Sequence, residues 1–227
     1  MGVAAFIPAK MTSQRLPQKN MRVLCGRPLL YYSIRVAQLS RAVSTTVVSS
    51  ESPIVLDYAI TQGASVHRRT PDLSEPAVRN VDVLRHWYEP LEEKPEIVVL
   101  LQPTHPMRDP EDLSRAVDQL RNDPEADSLF TVLRTAALTG VVRDGVFWPD
   151  VNLPRNVETE SPRFRNTGSF YLFRPERSFL TAKPFGERIR AYELRRPEWE
   201  VDIDHEHDFD CAEAIFRKQV ELLGKYA

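Results

Sequence analysis

The chain has 227 residues with 30 Lys and Arg against 32 Asp and Glu, a formal charge of -2, so it lacks a nucleic-acid-sized electropositive field, although local basic clusters can receive one small anion. Its two cysteines, Cys25 and Cys211, show no CxxC or Cys/His spacing, which excludes a disulfide framework and a structural zinc site and points to a reducing cytoplasm. No apolar stretch approaches the about 20 residues of a membrane-spanning helix, and 18 prolines against 8 glycines predict stiff turns rather than floppy linkers.

The opening MGVAAFIPAK lacks a basic leader and a small-residue cleavage site and reads as a buried first strand over residues 3–7. Strand-like runs follow at 44–49, 65–67, 97–101 and 128–133, then at 168–173, 188–194 and 200–203. Segments of helical period lie between them at 29–39, 53–62, 80–91, 110–121 and 209–223. The alternation predicts one α/β domain, a mostly parallel sheet covered by helices. Pro53 and Pro110 open two helices, each behind a polar residue, Ser52 or Asp109, able to cap free N–H groups. From 134 to 165 the rhythm lapses into a polar, proline-containing stretch in which Arg143-Asp144-Gly145-Val146 reads as a hairpin turn. This stretch is expected to form a small inserted lobe, a candidate for dimer contacts.

Four clusters carry chemical potential. The loop after the first strand, Pro8-Ala9-Lys10-Met11-Thr12-Ser13-Gln14-Arg15-Leu16-Pro17-Gln18-Lys19-Asn20, offers cations, hydroxyls and backbone amides at a strand's carboxyl end, where ligands of open α/β sheets collect. It lacks GxGxxG and GxxxxGK[ST], and a solvated basic loop explains it as well. The second, Leu100-Leu101-Gln102-Pro103-Thr104-His105-Pro106-Met107-Arg108, follows the most apolar strand; Gln102 suits a base edge through its paired donor and acceptor, and an ordinary stiff loop is the alternative. The third, Arg165-Asn166-Thr167-Gly168-Ser169-Phe170-Tyr171, can hold a hydroxyl-bearing ligand or simply form a turn.

The fourth is Glu200-Val201-Asp202-Ile203-Asp204-His205-Glu206-His207-Asp208-Phe209-Asp210. In an extended segment Asp202 and Asp204 point the same way and present paired carboxylates to one hard cation, which suits magnesium. His205 and His207 share a face too, so a transition-metal site is an alternative, while an acid-rich helix start capped by Asp208 or Asp210 explains the stretch more simply. His67, His86 and His105 read as structural, and Trp87, Trp148 and Trp199 as core or interface groups.

In this order the clusters resemble the CMP-sialic acid synthetase family of sugar-acid cytidylyltransferases, related to the CMP-Kdo synthetases, over nearly the whole chain. Ile7-Pro8-Ala9, Ser13, Leu16-Pro17, Lys19-Asn20 and Gly26-Arg27-Pro28-Leu29 are similar to the family's nucleotide-binding opening. His67-Arg68-Arg69-Thr70-Pro71 through Asp82-Val83-Leu84 resembles its next block, Leu101-Gln102-Pro103-Thr104 with Pro106 and Arg108 its central motif, and Asp202-Ile203-Asp204 its metal motif. Four ordered matches are far more specific than any one.

The resemblance implies a three-layer, Rossmann-type fold like the nucleotide-diphospho-sugar transferases, helices on both faces of the sheet, and a homodimer using the 134–165 lobe. It implies transfer of CMP from CTP to a small acidic acceptor, a sialic-acid-like sugar, with pyrophosphate released. Ala9, Lys10, Ser13, Lys19, Asn20 and Gln102 would meet CTP, with Asn80 near a position where the family often has serine. Asp202 and Asp204 would carry magnesium, for which manganese can substitute, and Arg155, Asn166 and Phe185 would face the acceptor. Lys10 and Lys19 would neutralise phosphate charge.

Three departures bear on this. Lys10 stands where the family usually has arginine and loses the bidentate fork. Thr139 sits roughly where the family's lobe has an acceptor-binding lysine, and Gly186 follows Phe185 where the sialate enzymes commonly have a second aromatic. These departures admit Kdo or a small phosphonate acid as acceptor. A rival of another class is a metal-dependent hydrolase built on Asp204, His205, His207 and Asp208; a third is a catalytically silent nucleotide-binding module, for which Lys10 argues.

Overall fold

Val3–Pro8 (β1) is buried along nearly its whole length, as a strand covered on both faces must be. It lies at the centre of the sheet in the computed structural model, which describes residues 2–13, 15–135, 139–149, 162–219 and 224–226. The chain continues through β2 (Val23–Leu24), β3 (Arg27–Pro28), α1 (Leu29–Leu39), β4 (Thr45–Ser50), α2 (Pro53–Thr61) and β5 (Ser65–Arg68). Next come α3 (Asn80–Tyr88), β6 (Ile97–Leu100), α4 (Pro110–Arg121) and β7 (Ser128–Arg134). A two-stranded hairpin follows, β8 (Gly140–Arg143) with β9 (Val146–Pro149), then β10 (Phe164–Phe173), β11 (Ile189–Glu193) and α5 (Glu206–Lys218).

The 7-stranded sheet has the order β11-β7-β10-β6-β1-β4-β5. All its neighbours run parallel except β10, which is antiparallel to both β6 and β7. The chain lays β4 and β5 on one side of β1 and then returns to place β6 on the other. The order therefore reverses at β1, and the carboxyl ends of β1 and β6 border the crevice that ligands of such sheets occupy.

Alternate residues of β1 enter opposite cores, as the period of 2 requires. Val3, Ala5 and Ile7 pack with Leu30 of α1, Val55 of α2, Leu113 of α4 and Phe209 of α5. Ala4 and Phe6 pack on the other face with Leu84 and Trp87 of α3. Phe6 is fully buried, its ring centroid 5.0 Å from that of Trp87, a burial that contributes about 2 kcal/mol.

Several expectations are adjusted. Residues 200–203 are not a strand: Ile203 is buried between more exposed neighbours as its alternation requires, but the segment joins no ladder. Its backbone bonds go elsewhere, Ile203 N to Thr104 O at 2.9 Å and Asp204 N to the Asp208 carboxylate at 3.0 Å. That carboxylate also accepts His205 N at 2.8 Å, so α5 starts at Glu206 rather than at 209; it ends at Lys218, and 220–223 lie outside the described residues. Asp109 caps α4, accepting Glu111 N at 3.0 Å, whereas the Ser52 side chain makes no cap bond to α2. β10 begins earlier than expected, at Phe164, and its pairing with β7 is irregular between Asn166 and Tyr171. Asp144 and Gly145 turn the hairpin with φ of 52° and 78°, both left-handed as a two-residue turn demands.

Behind β6, Arg108 is buried to 2% exposure. It donates to Gln102 O at 2.5 Å, Ser169 O at 2.6 Å and Ser33 Oγ at 3.1 Å, tying the β6 loop to β10 and α1. Burial pushes its guanidinium down to about 9. Replacing it with Met removes the cost of burying a charge but takes the Nε donor from buried Ser169 O, at about 1–3 kcal/mol, whereas Gln102 O keeps His105 N at 3.2 Å. The second effect is the larger because Ser169 is buried and its carbonyl has little access to water. Arg108→Met is expected to lower unfolding free energy by about 1–2 kcal/mol, measured as a shifted urea midpoint at unchanged slope.

Candidate active site

β1 ends at Pro8, and the loop that follows is braced from two sides. Glu51, just past β4, accepts Met11 N at 2.8 Å and Ser74 Oγ at 2.7 Å and pairs with Arg69 at 3.4 Å. Burial raises the Glu51 carboxyl, but these donors outweigh it and hold the group below its ordinary range. Farther along, Asn20 donates through Nδ2 to Lys10 O at 2.8 Å, which fixes the loop's path. Lys19 Nζ reaches across the chain to Ile203 O at 2.6 Å and Asp204 Oδ1 at 2.9 Å, while Arg15 Nη1 meets Asp204 Oδ2 at 2.9 Å.

This scaffold walls a cleft of ≈ 420 Å³ whose lining includes Lys10, Ser13, Lys19, Asn20, Asn80 and Gln102. Six residues expected to meet a nucleotide are thereby brought together. Lys10 forms no ion pair among the described residues, which leaves its charge to a ligand. Lys19 spends two of its three N–H groups on Ile203 and Asp204, leaving one. Asn80 Nδ2 donates to Gln102 Oε1 at 2.9 Å, so Gln102 presents its amide N–H groups as donors, an orientation assigned by the hydrogen bond. Ala9 stands apart: it is fully buried in the core, and its N–H goes to Ser49 O at 2.9 Å.

Asp202 and Asp204 stand beside the cleft on the segment that Lys19 and the Ile203–Thr104 bond hold. Burial raises the Asp202 carboxyl above the ordinary range; the Thr104 hydroxyl opposes this and the neighbouring Asp204 charge adds to it. Two coupled carboxylates of which one resists ionisation are a donor set that a hard dication satisfies. Asp204 already balances Lys19 and Arg15, and each of its oxygens keeps a further lone pair.

His105 lies next to this pair, Nδ1 3.1 Å from Thr104 Oγ1 and 3.7 Å from Asp202 Oδ1. Burial pushes its pKa down to about 3, so the ring is neutral. It packs on Gly168, where φ is +73° and an added Cβ would stand 3.0 Å from the ring. Asn166 is exposed and accepts Gly168 N at 2.7 Å; the turn reading describes it, and it lines neither cleft. A second cleft of ≈ 270 Å³ adjoins the first, sharing Asn80 and Gln102 and walled in part by Tyr171 and Phe185. Gly186 has φ +76°, and a Cβ there would meet Asp127 Cβ at 2.3 Å, so this backbone admits no second aromatic. Arg155 lies outside the described residues.

Sequence reasoning left Arg69, Glu51 and Arg15 without roles. Arg69 lines the first cleft with its side chain 3% exposed; a buried arginine in a polar run carries no sequence signal that separates it from a solvated one. His205, His207 and Asp208 place ligand atoms within 4.8 Å of one another, a group that does not include Asp204, so three of the four residues of the hydrolase constellation are brought together and the fourth is not.

The chain matches the model of a family described as Cytidylyltransferase over residues 4–224. It is 28% identical over 226 residues to N-acylneuraminate cytidylyltransferase A of Danio rerio, covering 93% of this chain and 50% of the fish protein, so it spans about half that relative's length. It is 28% identical over 236 residues to the CMP-N,N'-diacetyllegionaminic acid synthase of Legionella pneumophila, covering 98% of this chain and 100% of that one. Among solved structures, CMP:2-keto-3-deoxy-manno-octonic acid synthetase complexed with CTP aligns at TM-score 0.76 and 18% identity, over 96% of this chain and 100% of the other. The 4-diphosphocytidyl-2C-methyl-D-erythritol synthase of Anaerococcus prevotii aligns at TM-score 0.68 and 11% identity, over 95% and 96%. The expected three-layer fold of the nucleotide-diphospho-sugar transferases is thus present, with one strand reversed, and the chain belongs to the cytidylyltransferase family.

Proposed function

We propose that this protein transfers CMP from CTP to a sialic-acid-like sugar acid and releases pyrophosphate. The observation that carries the reading is the Lys19 bridge, which sets Asp202 and Asp204 beside a cleft bearing Lys10, Ser13 and Gln102. The triphosphate lies against the loop after β1, where Lys10, Lys19 and Arg15 offset its charge. The acceptor lies in the second cleft and meets the nucleotide where Asn80 and Gln102 border both. Arg155 keeps an acceptor-facing role on the resemblance alone. Magnesium, or manganese in its place, held by Asp202 and Asp204 would supply positive charge against the phosphates.

In the reaction an acceptor hydroxyl oxygen bonds to the α-phosphorus and loses its proton to water as the bond to the bridging oxygen breaks and pyrophosphate departs. No side chain need form a covalent intermediate, so alignment and charge compensation carry the rate. The relatives' printed names, an N-acylneuraminate and a legionaminic acid enzyme, favour a sialate-like acceptor; the Kdo enzyme favours its fold-mate's substrate as the second reading. A pyrophosphate-release assay with CTP against N-acetylneuraminate, Kdo and a small phosphonate acid decides among them, and silence with every acid would overturn the transferase reading.

Asp202→Ala and Asp204→Ala are expected to stay folded: loss of the Lys19–Asp204 bond costs about 1.5–3 kcal/mol, less than the whole stability of a domain, and Lys19 keeps its bond to Ile203 O. Both should lose about a hundredfold or more of CTP-dependent pyrophosphate release. Normal turnover by both, with an unaltered circular dichroism melt, contradicts the assignment.

The protein is further proposed to be a cytoplasmic homodimer. Among the described residues, no helix is long and apolar enough to cross a membrane, and both cysteines are free. The β8–β9 hairpin exposes Val142 at 69% and Trp148 at 57%, apolar area that a second copy would cover. Val142→Ser with Trp148→Ser should convert a dimer to a monomer by light scattering; an unchanged mass removes the hairpin from the interface.

A further inference from the structure

The second cleft holds a recognition element that the reading above does not use. Of its described lining residues Arg79 alone is charged, while Val81, Leu100, Tyr171, Pro184 and Phe185 form a largely apolar wall. A cation beside such a wall favours a compact anion with a carbon skeleton over a neutral sugar, the guanidinium meeting the charge and the apolar side chains the skeleton.

The geometry of the arginine is specific. Nε donates to Asp82 Oδ2 at 3.0 Å and Nη2 to Asp82 Oδ1 at 2.9 Å, so Asp82 occupies one edge of the guanidinium fork. The two residues are three apart where α3 begins, and this pairing orients a side chain that is otherwise 64% exposed. Five N–H groups are available on an arginine and Asp82 takes two; the Nη1/Nη2 edge has no partner among the described residues. Arg85 also lies 3.9 Å from Asp82, so two arginines face one aspartate and the local sum is positive. The hydrogen bond from Arg79 is the first cause holding the Asp82 carboxyl below its usual range, so the orienting group stays ionised at neutral pH.

We propose that Arg79 is the clamp for the acceptor's carboxylate, gripping it through the free edge of the fork while Asp82 holds the other. The inference rests on the transferase reading for the identity of the second cleft's occupant. With its carboxylate on Arg79, the acceptor keeps the hydroxyl of the adjoining carbon at the Asn80–Gln102 boundary with the nucleotide and lays the rest of its skeleton along Tyr171 and Phe185. Arg79 then selects acids over neutral sugars, and a lysine cannot replace it, since a point charge cannot serve two carboxylates through two planar edges.

The test is calorimetric binding of N-acetylneuraminate and Kdo, each as free acid and as methyl ester, to protein holding CTP in EDTA, which prevents turnover. Wild type should prefer at least one acid over its ester by about tenfold. Arg79→Gln should weaken that acid by about tenfold, bind acid and ester alike, and keep CTP affinity within about twofold. Arg79→Lys should recover only part of the preference, and Asp82→Asn should fall between wild type and Arg79→Gln. The clamp is overturned if neither acid binds wild type, if Arg79→Gln still prefers acid to ester, or if it loses CTP affinity in the same proportion. Pyrophosphate release with magnesium is measured in parallel. Acid binding that depends on Arg79 without release would sink the transferase reading and leave the clamp standing, whereas turnover with an unchanged acceptor KM in Arg79→Gln would sink the clamp alone.

Discussion

A lysine ammonium that is almost wholly buried must find acceptors, and Lys19, with its side chain 11% exposed, finds them at the opposite end of the chain. Its bonds to Ile203 O and Asp204 span 184 and 185 residues. Each is charge-assisted and worth about 1.5–3 kcal/mol, enough to order a segment that has no ladder or helix of its own. The position of both aspartates follows from that anchoring. Arg15 adds a more exposed and weaker grip on the same carboxylate.

The rest of the site is built on stiffness at the carboxyl ends of β1 and β6. Pro103 and Pro106 restrict the β6 loop, and Arg108 beneath it binds the carbonyl of Gln102. Gln102 is thus held at its backbone from below and at its amide by Asn80 of α3, which brings opposite faces of the sheet to one point. Because Asn80 and Gln102 border both clefts, a shift in either residue reshapes the two together. Such coupling suits a reaction whose rate depends on alignment more than on any proton-transferring side chain.

Much of this was legible in the residues. Continuous apolar runs at β1 and β6, helices announced by Pro53 and Pro110, and an Asp-Gly turn at 144–145 each obey a local rule, and local rules need no knowledge of the fold. The cation-rich loop and the Asp202-Ile203-Asp204 spacing marked the site for the same reason. Less legible was the segment at 200–203, whose alternation is real but whose hydrogen bonds go to Thr104 and Asp208 instead of a neighbouring strand. Alternation reports which side chains are buried and says nothing about what the backbone pairs with.

The sequence by itself determined the element order, the α/β class, the polar loops and the identity of the charged groups, because these depend on residue chemistry within a few positions of the chain. Only the tertiary structure decided what each charge does. Lys19 becomes a bridge, Arg15 a second partner of Asp204, and Arg69 a cleft wall paired with Glu51. Those roles depend on partners tens to nearly two hundred residues away, and the energy of a charge is set by distance and burial, neither of which is written in local sequence.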